Sequence, residues 1–403
     1  MKFDPIAVTA YTATTAVGRG RAAMLDAVRS RRGGLTRYRG DATYASPPKS
    51  PPLDTWVGEV AGLDEAPLPQ QRSHFECRNN RLTWLGLQQD GFADAAQALV
   101  RRHGPARVAV LIGTSTSGIG QAERAYRDRD NAGRLPASFD YGTTLNNFSA
   151  PSLVAALFGI TGPTYAVSTA CSSSAKVFAA AARLMRVGWV DAAIVGGVDS
   201  LCLTTLCGFS SLELLSPEPC RPFDRERRGI SIGEGAGFAL LERDTDADLY
   251  LLGAGESSDA HHMSTPHPEG LGALQAMRGA LDSATLSPEQ VDYINLHGTA
   301  TRANDPSEGR AVAEVFGQTA SSSTKGWFGH LLGAAGIVES VVTLLALEHG
   351  LAPGTLNTTQ IDPECPNRVL LDNEPRQINV ALTNSFGFGG SNCSLIFGRV
   401  RTA

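Results

Sequence analysis

Cys171 sits in VSTACSSSAK, where an apolar run ending at Val167 gives way to small and apolar residues of helical character, Ser172 to Val187. A thiol at the start of a helix faces unpaired backbone N–H groups and the positive end of the helix dipole, which favour the thiolate and lower its pKa from about 8.5. Covalent catalysis by a thiolate nucleophile is the chemistry this placement offers. The alternative is a buried structural cysteine packed as a small hydrophobe. His297, in INLHGTATRANDPSE, follows an apolar strand and precedes Gly298, a position that points a ring into a cleft. It could equally be a loop histidine satisfied locally. His330, in STKGWFGHLLGAAG, stands at the entrance to a second apolar helix, where desolvation and the helix N-terminus both favour the neutral imidazole. Lys325 precedes it by five residues, and Glu339 lies inside the helix, where an unpaired carboxylate is costly; Lys325 is its expected partner. Asp305 and Glu308 follow His297, and Asp305-Pro306 reads as an N-cap with proline at the first helical position, so both carboxylates could be capping charges.

The stretch NSFGFGGSN, 384 to 392, interleaves glycine and phenylalanine. It predicts a tightly turning backbone and rings free to swing. As a phosphate cradle it fails, as does GEGAG at 233 to 237, because neither has a P-loop or dinucleotide-binding pattern. HExxH is also absent from the sequence.

The elements that must position these residues alternate along the chain. Apolar runs at 107–113, 191–197, 237–241, 291–296, 380–384 and 394–397 read as strands, separated by helical patterns, which predicts an α/β sheet with parallel parts. The segments 163–197 and 321–348 share a shape: a small-residue approach, then a helix apolar nearly all round. Such helices belong at the centre of a molecule. Two related halves are expected, 1–245 carrying the cysteine and 246–403 carrying the histidines, with charges clustered at 242–248. Four prolines in SPPKSPPL, 46 to 53, predict an exposed extended loop.

Composition narrows the class. The 403 residues are 42% hydrophobic and 19% charged, enough for a sizeable core in two to three domain-sized units. A net charge of −5 gives no whole-protein basic field for nucleic acid or anionic membrane. Four lysines stand against 31 arginines, a codon-composition bias that makes Lys325 worth weighing. Seven scattered cysteines without a CxxC pair argue against a secreted disulfide framework or a zinc finger. The N-terminal run Ile6 to Val17, rich in threonine and alanine, lacks the apolar core of a signal peptide, and no stretch approaches 18 consecutive apolar residues. A cytoplasmic location is the expectation.

Taken together, TAC at 169–171, RPFDRERRG at 221–229, HGTAT at 297–301, STKGWFGHLLGAAG at 323–336 and NSFGFGGSN closely resemble the type I and II β-ketoacyl-acyl carrier protein synthases in order and spacing, from about residue 105 to the C-terminus. CRNNR at 77–81 and GTSTSGIG at 113–120 fall where that family has comparable segments, and resemble the synthases of aryl polyene clusters. The resemblance implies the thiolase-like α/β/α/β/α five-layered sandwich of two related halves, paired as a homodimer or as a heterodimer with a ketosynthase-like subunit. It implies that Cys171 carries the acyl chain as a thioester, that His297 and His330 promote decarboxylation of malonyl thioester, and that the product is a Claisen condensation in fatty-acid, polyketide or polyene elongation. Lys325, Glu339, Asp305 and Glu308 would support the site; backbone N–H groups of Cys171 and Phe388 would form an oxyanion hole, with Phe388 as gate. Thr299 and Thr301 would bond the phosphopantetheine arm, Phe386 and Asn392 would line the substrate site, and Thr116 would lie at the pocket floor. No cofactor or metal is called for, since substrates arrive on the phosphopantetheine of acyl carrier protein. Carrier docking would fall to a local arginine patch drawn from Arg78, Arg81, Arg221, Arg225, Arg227 and Arg228, with Arg78, Arg81 and Arg221 foremost, unless these arginines are spent on internal ion pairs.

Two other readings compete. A chain-length-factor-like partner would resemble the family but lack the nucleophile, whereas Cys171, His297, Lys325 and His330 are all present. A degradative thiolase would need a second cysteine after a glycine-rich loop; Cys393 lies there, but HGTAT and GHLLGAAG argue against that reading.

Overall fold

A computed structural model describes residues 4–40 and 53–399, so nearly all of the proline-rich loop expected at 46–53 lies outside the described residues. Among the described residues eleven strands form the main sheet, ten in one continuous path and the short Gly18–Arg19 paired only with the end of the first. In chain order the ten are β1 (Ile6–Thr15), β2 (Val108–Gly113), β3 (Thr164–Val167), β4 (Ala192–Asp199), β5 (Gly235–Glu242), β6 (Tyr250–Ser258), β7 (Tyr293–Asn295), β8 (Ser321–Ser322), β9 (Val380–Gly387) and β10 (Ser391–Gly398). Their spatial order is β8-β7-β9-β10-β6-β1-β5-β4-β2-β3.

That order contains a repeat. In the first half β1 lies antiparallel to β5, β5 antiparallel to β4, and β4 and β3 parallel to β2. In the second, β6 lies antiparallel to β10, β10 antiparallel to β9, and β9 and β8 parallel to β7. The two five-strand units have the same topology, and they join where β1 meets β6 at Ile6–Leu251 and Ala7–Tyr250. The duplication that the sequence displays only as two similar helices is therefore a property of the whole chain. The threonine- and alanine-rich N-terminal run, which the apolar strand patterns do not include, is a buried strand, β1, in the middle of the sheet.

The helices that matter are α1 (Arg78–Leu87), α2 (Phe92–His103), α3 (Ser149–Phe158), α4 (Ser173–Arg186), α5 (Leu271–Ala284), α6 (Asn304–Phe316) and α7 (Ala335–His349). α4 and α7 pack on each other and against strands of both halves, while α1, α2 and α3 cover the first half and α5 and α6 attend the second. This gives the five layers of a thiolase-like fold. Every residue of α7 from Ala335 to Leu347 is buried, as a helix packed between the two five-strand units requires. The run Leu332–His349 is also long and apolar enough on average to cross a membrane; 89% of it is buried in this core, so it is the central helix.

Glycine sets how closely these layers approach. A Cβ at Gly113 would lie 2.4 Å from the Ser174 nitrogen, and one at Gly336 would lie 2.5 Å from the Ala175 nitrogen. Any side chain at either position would drive the start of α4 away from β2 or from α7.

Candidate active site

Equivalent points of the two halves converge. Cys171 follows β3 and immediately precedes α4; His330 follows β8 and precedes α7. Because the starts of α4 and α7 touch at Ala175 and Gly336, and the Ile337 N–H donates to Ser174 Oγ at 2.9 Å, the two lead-in segments are pressed together. His330 Nε2 lies 3.0 Å from Cys171 Sγ. His297, just beyond β7, stacks edge-on against His330 with ring centroids 5.3 Å apart.

The nucleophile turn is tight. Ala170 has φ +51°, a left-handed conformation that costs a non-glycine residue roughly 1–3 kcal/mol. It is held by the Ser173 hydroxyl donating to the Ala170 carbonyl at 2.6 Å, and by Thr169 N–H donating to Ser173 Oγ at 2.9 Å. Burial pushes the Cys171 thiol up to about 11, while the Lys325 ammonium and the Phe388 N–H pull it down. The lowering expected from the helix end is thus outweighed: at 5% exposure, the loss of water costs the thiolate more than the dipole returns. Cys171 rests as a thiol.

Both imidazoles are neutral. Burial lowers His297 well below its usual range, reinforced by Lys325 and then by His330, and burial followed by Lys325 does the same to His330. Lys325 is wholly buried; its Nζ bonds the carboxylate of Glu339 and the His297 carbonyl, and lies 3.3 Å from His297 Nδ1. Burial raises the Glu339 carboxyl, opposed by that ammonium.

Asp305 and Glu308 do not cap a helix. Helix α6 begins at Asn304, and both carboxylates turn inward to hold the loop that carries His297. Glu308 accepts from the N–H groups of His297 at 2.7 Å and Gly298 at 2.8 Å, and from Asn384 Nδ2 at 3.1 Å. Burial nevertheless pushes its carboxyl up to about 7. Asp305 accepts from Thr299 N–H at 3.0 Å and Phe223 N–H at 2.7 Å.

A cavity of about 470 Å³ opens onto the three reactive groups, its walls including Thr299, Thr301, Phe386, Phe388 and Asn392. The Thr299 and Thr301 hydroxyls sit 3.0 Å apart. Phe388 packs against Phe209 at 5.6 Å, next to Gly389 at φ +80° and Gly390 at φ +74°. Asn392 Nδ2 donates to Asp259 Oδ1 at 2.8 Å, and the Asp259 N–H donates to the Gly390 carbonyl at 2.9 Å, tying the glycine loop to the end of β6.

Other expected positions lie elsewhere. Thr116 is not on the cavity wall: its N–H and hydroxyl both donate to Asp199 at 2.8 Å, so it is part of a buried clamp and not a pocket floor. Arg78 is 8% exposed and paired with the fully buried Glu234 at 2.6 Å, which removes it from docking. Arg81 pairs with Glu76, Arg221 with Glu218 at 2.5 Å, and Arg227 with Asp362. Arg228 and Arg302, the latter directly after HGTAT, are both exposed, line the cavity and have no ion-pair partner among the described residues. Lys176, the other lysine close to a motif, pairs with Glu256 at 3.5 Å. The Cys171, His297 and His330 donor atoms all lie within 4.8 Å of one another, a set compatible in type with a soft metal ion, though a hydrogen-bonded thiol and imidazoles account for them equally.

Comparison with known proteins agrees with this geometry. Residues 3–247 match the β-ketoacyl synthase N-terminal domain and residues 250–359 its C-terminal domain. A 3-oxoacyl-[acyl-carrier-protein] synthase 2 of Rhizobium meliloti is 40% identical over 313 residues, 72% of this chain and 73% of that protein. The mitochondrial 3-oxoacyl-[acyl-carrier-protein] synthase of Arabidopsis thaliana is 41% identical over 266 residues, 60% of this chain and 58% of that one. A solved structure of the ketosynthase ApeO in complex with its chain length factor ApeC, from Xenorhabdus doucetiae, aligns with a TM-score of 0.88 and 36% identity over 98% of both chains.

Proposed function

This chain belongs to the β-ketoacyl synthase family and is an acyltransferase of the 3-oxoacyl-[acyl-carrier-protein] synthase class; from that premise we propose that Cys171, His297 and His330 carry the condensation. The observation behind this reading is the convergence of a thiol and two neutral imidazoles at one end of a cavity.

The acyl chain arrives as a carrier thioester. Cys171 Sγ attacks its carbonyl, the carrier thiol leaves with the proton that Cys171 gives up, and a new thioester remains on the enzyme. A thiolate serves here because it is both a good nucleophile and a good leaving group. Malonyl-carrier then enters, its arm lying along Thr299 and Thr301. Its carbon–carboxylate bond breaks, CO2 departs, and the electron pair remains as the enolate of the carrier thioester. Two uncharged imidazole donors beside that oxygen stabilise it without an added proton transfer. The carbanion attacks the acyl carbonyl on Cys171, the tetrahedral oxyanion collapses, and Cys171 is released to take up a proton. The Cys171 and Phe388 N–H groups hold the oxyanion, and Lys325, fixed by Glu339, keeps His297 in place. Every group this scheme uses belongs to the chain or to the substrate's own arm.

The chain-length-factor reading is not favoured, because the nucleophile and both histidines are present and correctly grouped. The acidic carrier is assigned to the cavity mouth at Arg228 and Arg302. A ketosynthase-like partner, a second copy or a related subunit, is assigned to the free edge strand β3, where Tyr165 is exposed. The likeness to the solved ApeO–ApeC structure, over nearly the whole chain, supports an aryl polyene pathway. We propose a cytoplasmic location for the reaction.

The test is direct. The purified protein is incubated with a panel of acyl-carrier thioesters and its intact mass is read. An acyl adduct that vanishes in Cys171→Ala is expected; an adduct that persists in the variant, or none with any acyl chain, would overturn the mechanism.

A further inference from the structure

Asp199 closes β4 and is completely buried. Its Oδ1 accepts from the Thr114 hydroxyl at 2.8 Å, the Ser115 N–H at 2.9 Å, and the N–H and hydroxyl of Thr116, each at 2.8 Å. Its Oδ2 accepts the Gly333 N–H at 2.6 Å and the Ser115 hydroxyl at 2.5 Å. The first group of donors is the loop beyond β2. Gly333 belongs to the other half of the molecule, in the lead-in to α7 three residues after His330 and next to Leu332, which is held at φ +52°.

The repeat gives this arrangement meaning. In the second half Glu308 clamps the loop beyond β7, the topological counterpart of the loop beyond β2. Asp199 clamps its own half's loop and in addition reaches across to the segment bearing His330. The His330 ring needs such support, because its Nδ1 has no hydrogen-bond partner among the described residues. Its backbone is fixed by the His330 N–H donating to Ser231 O at 2.7 Å and the Gly233 N–H donating to His330 O at 3.0 Å. The Gly333 bond fixes the segment's far side.

We propose that Asp199 is a positioning residue that sets His330 against Cys171 through the Gly333 N–H, so that its loss strikes malonyl decarboxylation and spares the thiol. The proposal rests on the ketosynthase reading. Asp199→Asn is selective by geometry. The amide oxygen fits the Oδ1 position, where four donors converge, among them the Ser115 N–H that otherwise also reaches Oδ2 at 3.1 Å; this leaves the NH2 at the Oδ2 position facing the Gly333 N–H at hydrogen-bond distance. The Ser115 hydroxyl can turn to accept; the backbone N–H cannot. An N–H facing an N–H is left, and the His330 segment is pushed outward. A displacement of about 1 Å at a reacting group costs about 100-fold in rate.

Two readouts separate the roles: CO2 release from malonyl-carrier with no acyl donor, and alkylation of Cys171 by iodoacetamide. In Asp199→Asn, CO2 release is expected to fall about 100-fold while alkylation stays within about threefold of wild type. Gly333→Ala reaches the same bond from the other side, since its Cβ would lie 2.8 Å from both Asp199 Oδ2 and the Ser115 nitrogen, and should show the same split. Thr116→Val keeps the Gly333 bond and should stay within about twofold in both assays. Parallel loss of both activities, unchanged CO2 release, or two variants that merely fail to fold would overturn the assignment. A wild-type enzyme that releases no CO2 would overturn the ketosynthase reading with it.

Discussion

The pH dependence of Cys171 alkylation weighs burial against the helix end. Burial, the largest influence, pushes the thiol up to about 11. At pH 7 such a thiol is about one part in 10⁴ thiolate, while an unperturbed cysteine near 8.5 is about 3% thiolate, a deficit of about 300-fold. A more basic thiolate is intrinsically more reactive, and a Brønsted coefficient of about 0.45 over about 2.5 pH units returns about 13-fold. The net expectation is alkylation about 25-fold slower than that of an exposed cysteine at pH 7, before any steric factor. Because the reactive form is the deprotonated one, the rate should rise about tenfold per pH unit from 6.5 to 9.5 without levelling. The assay is the intact-mass time course with iodoacetamide at each pH, with Cys171→Ala as the blank. A rate that levels below pH 8.5 would show that the helix end and Lys325 outweigh burial, and would refute the reasoning.

Two further outcomes follow from the site and its mouth. Arg228→Glu and Arg302→Glu should each raise KM for carrier-bound substrate about tenfold at low salt and leave KM for a short N-acetylcysteamine thioester unchanged, whereas Arg81→Glu and Arg221→Glu, already ion-paired, should change it less than about twofold. Equal effects from all four would remove the mouth's special role. Glu308, raised by burial to about 7 against about 4.3 in the unfolded chain, binds its proton more tightly when folded, so its contribution to stability is full below about pH 4 and is lost as pH rises through 7. In urea unfolding between pH 5 and 8, the wild type should lose stability relative to Glu308→Gln; a constant difference would contradict the assigned burial.

Much of the reactive centre was legible because its members lie at strand-to-helix junctions that the apolar pattern marks. Cys171, His297 and His330 each stand at such a junction, and Lys325 and Glu339 flank one of them. The sign of the field at Cys171 was not legible. The helix start is local and readable, but the burial that outweighs it comes from packing between two halves. Arg78 misled for a related reason: its partner Glu234 is 156 residues away, so an arginine that looks free in its own segment is buried and neutralised. Asp199 shows the same limit from the other side. At the end of AAIVGGVDS it is one carboxylate after an apolar strand, and the donors that give it a role come from residues 114–116 and from 333. β1 escaped the strand pattern because threonine and alanine suffice for a strand buried on both faces by close-packed neighbours.

The place of β1 also bears on how the chain is made. Ala7 pairs with Glu242, and Ile6 with Leu251, so apart from the short pairing of its end with Gly18–Arg19, β1 has no sheet partner until residues 235–258 have been synthesised. At about 5–20 residues per second, that interval is roughly 10–50 s. Throughout it a strand open on both edges for most of its length must be kept from pairing with its like on neighbouring nascent chains. Synthesis of this enzyme therefore carries a window of aggregation risk set by topology, one that closes only when β5 and β6 emerge on either side of β1.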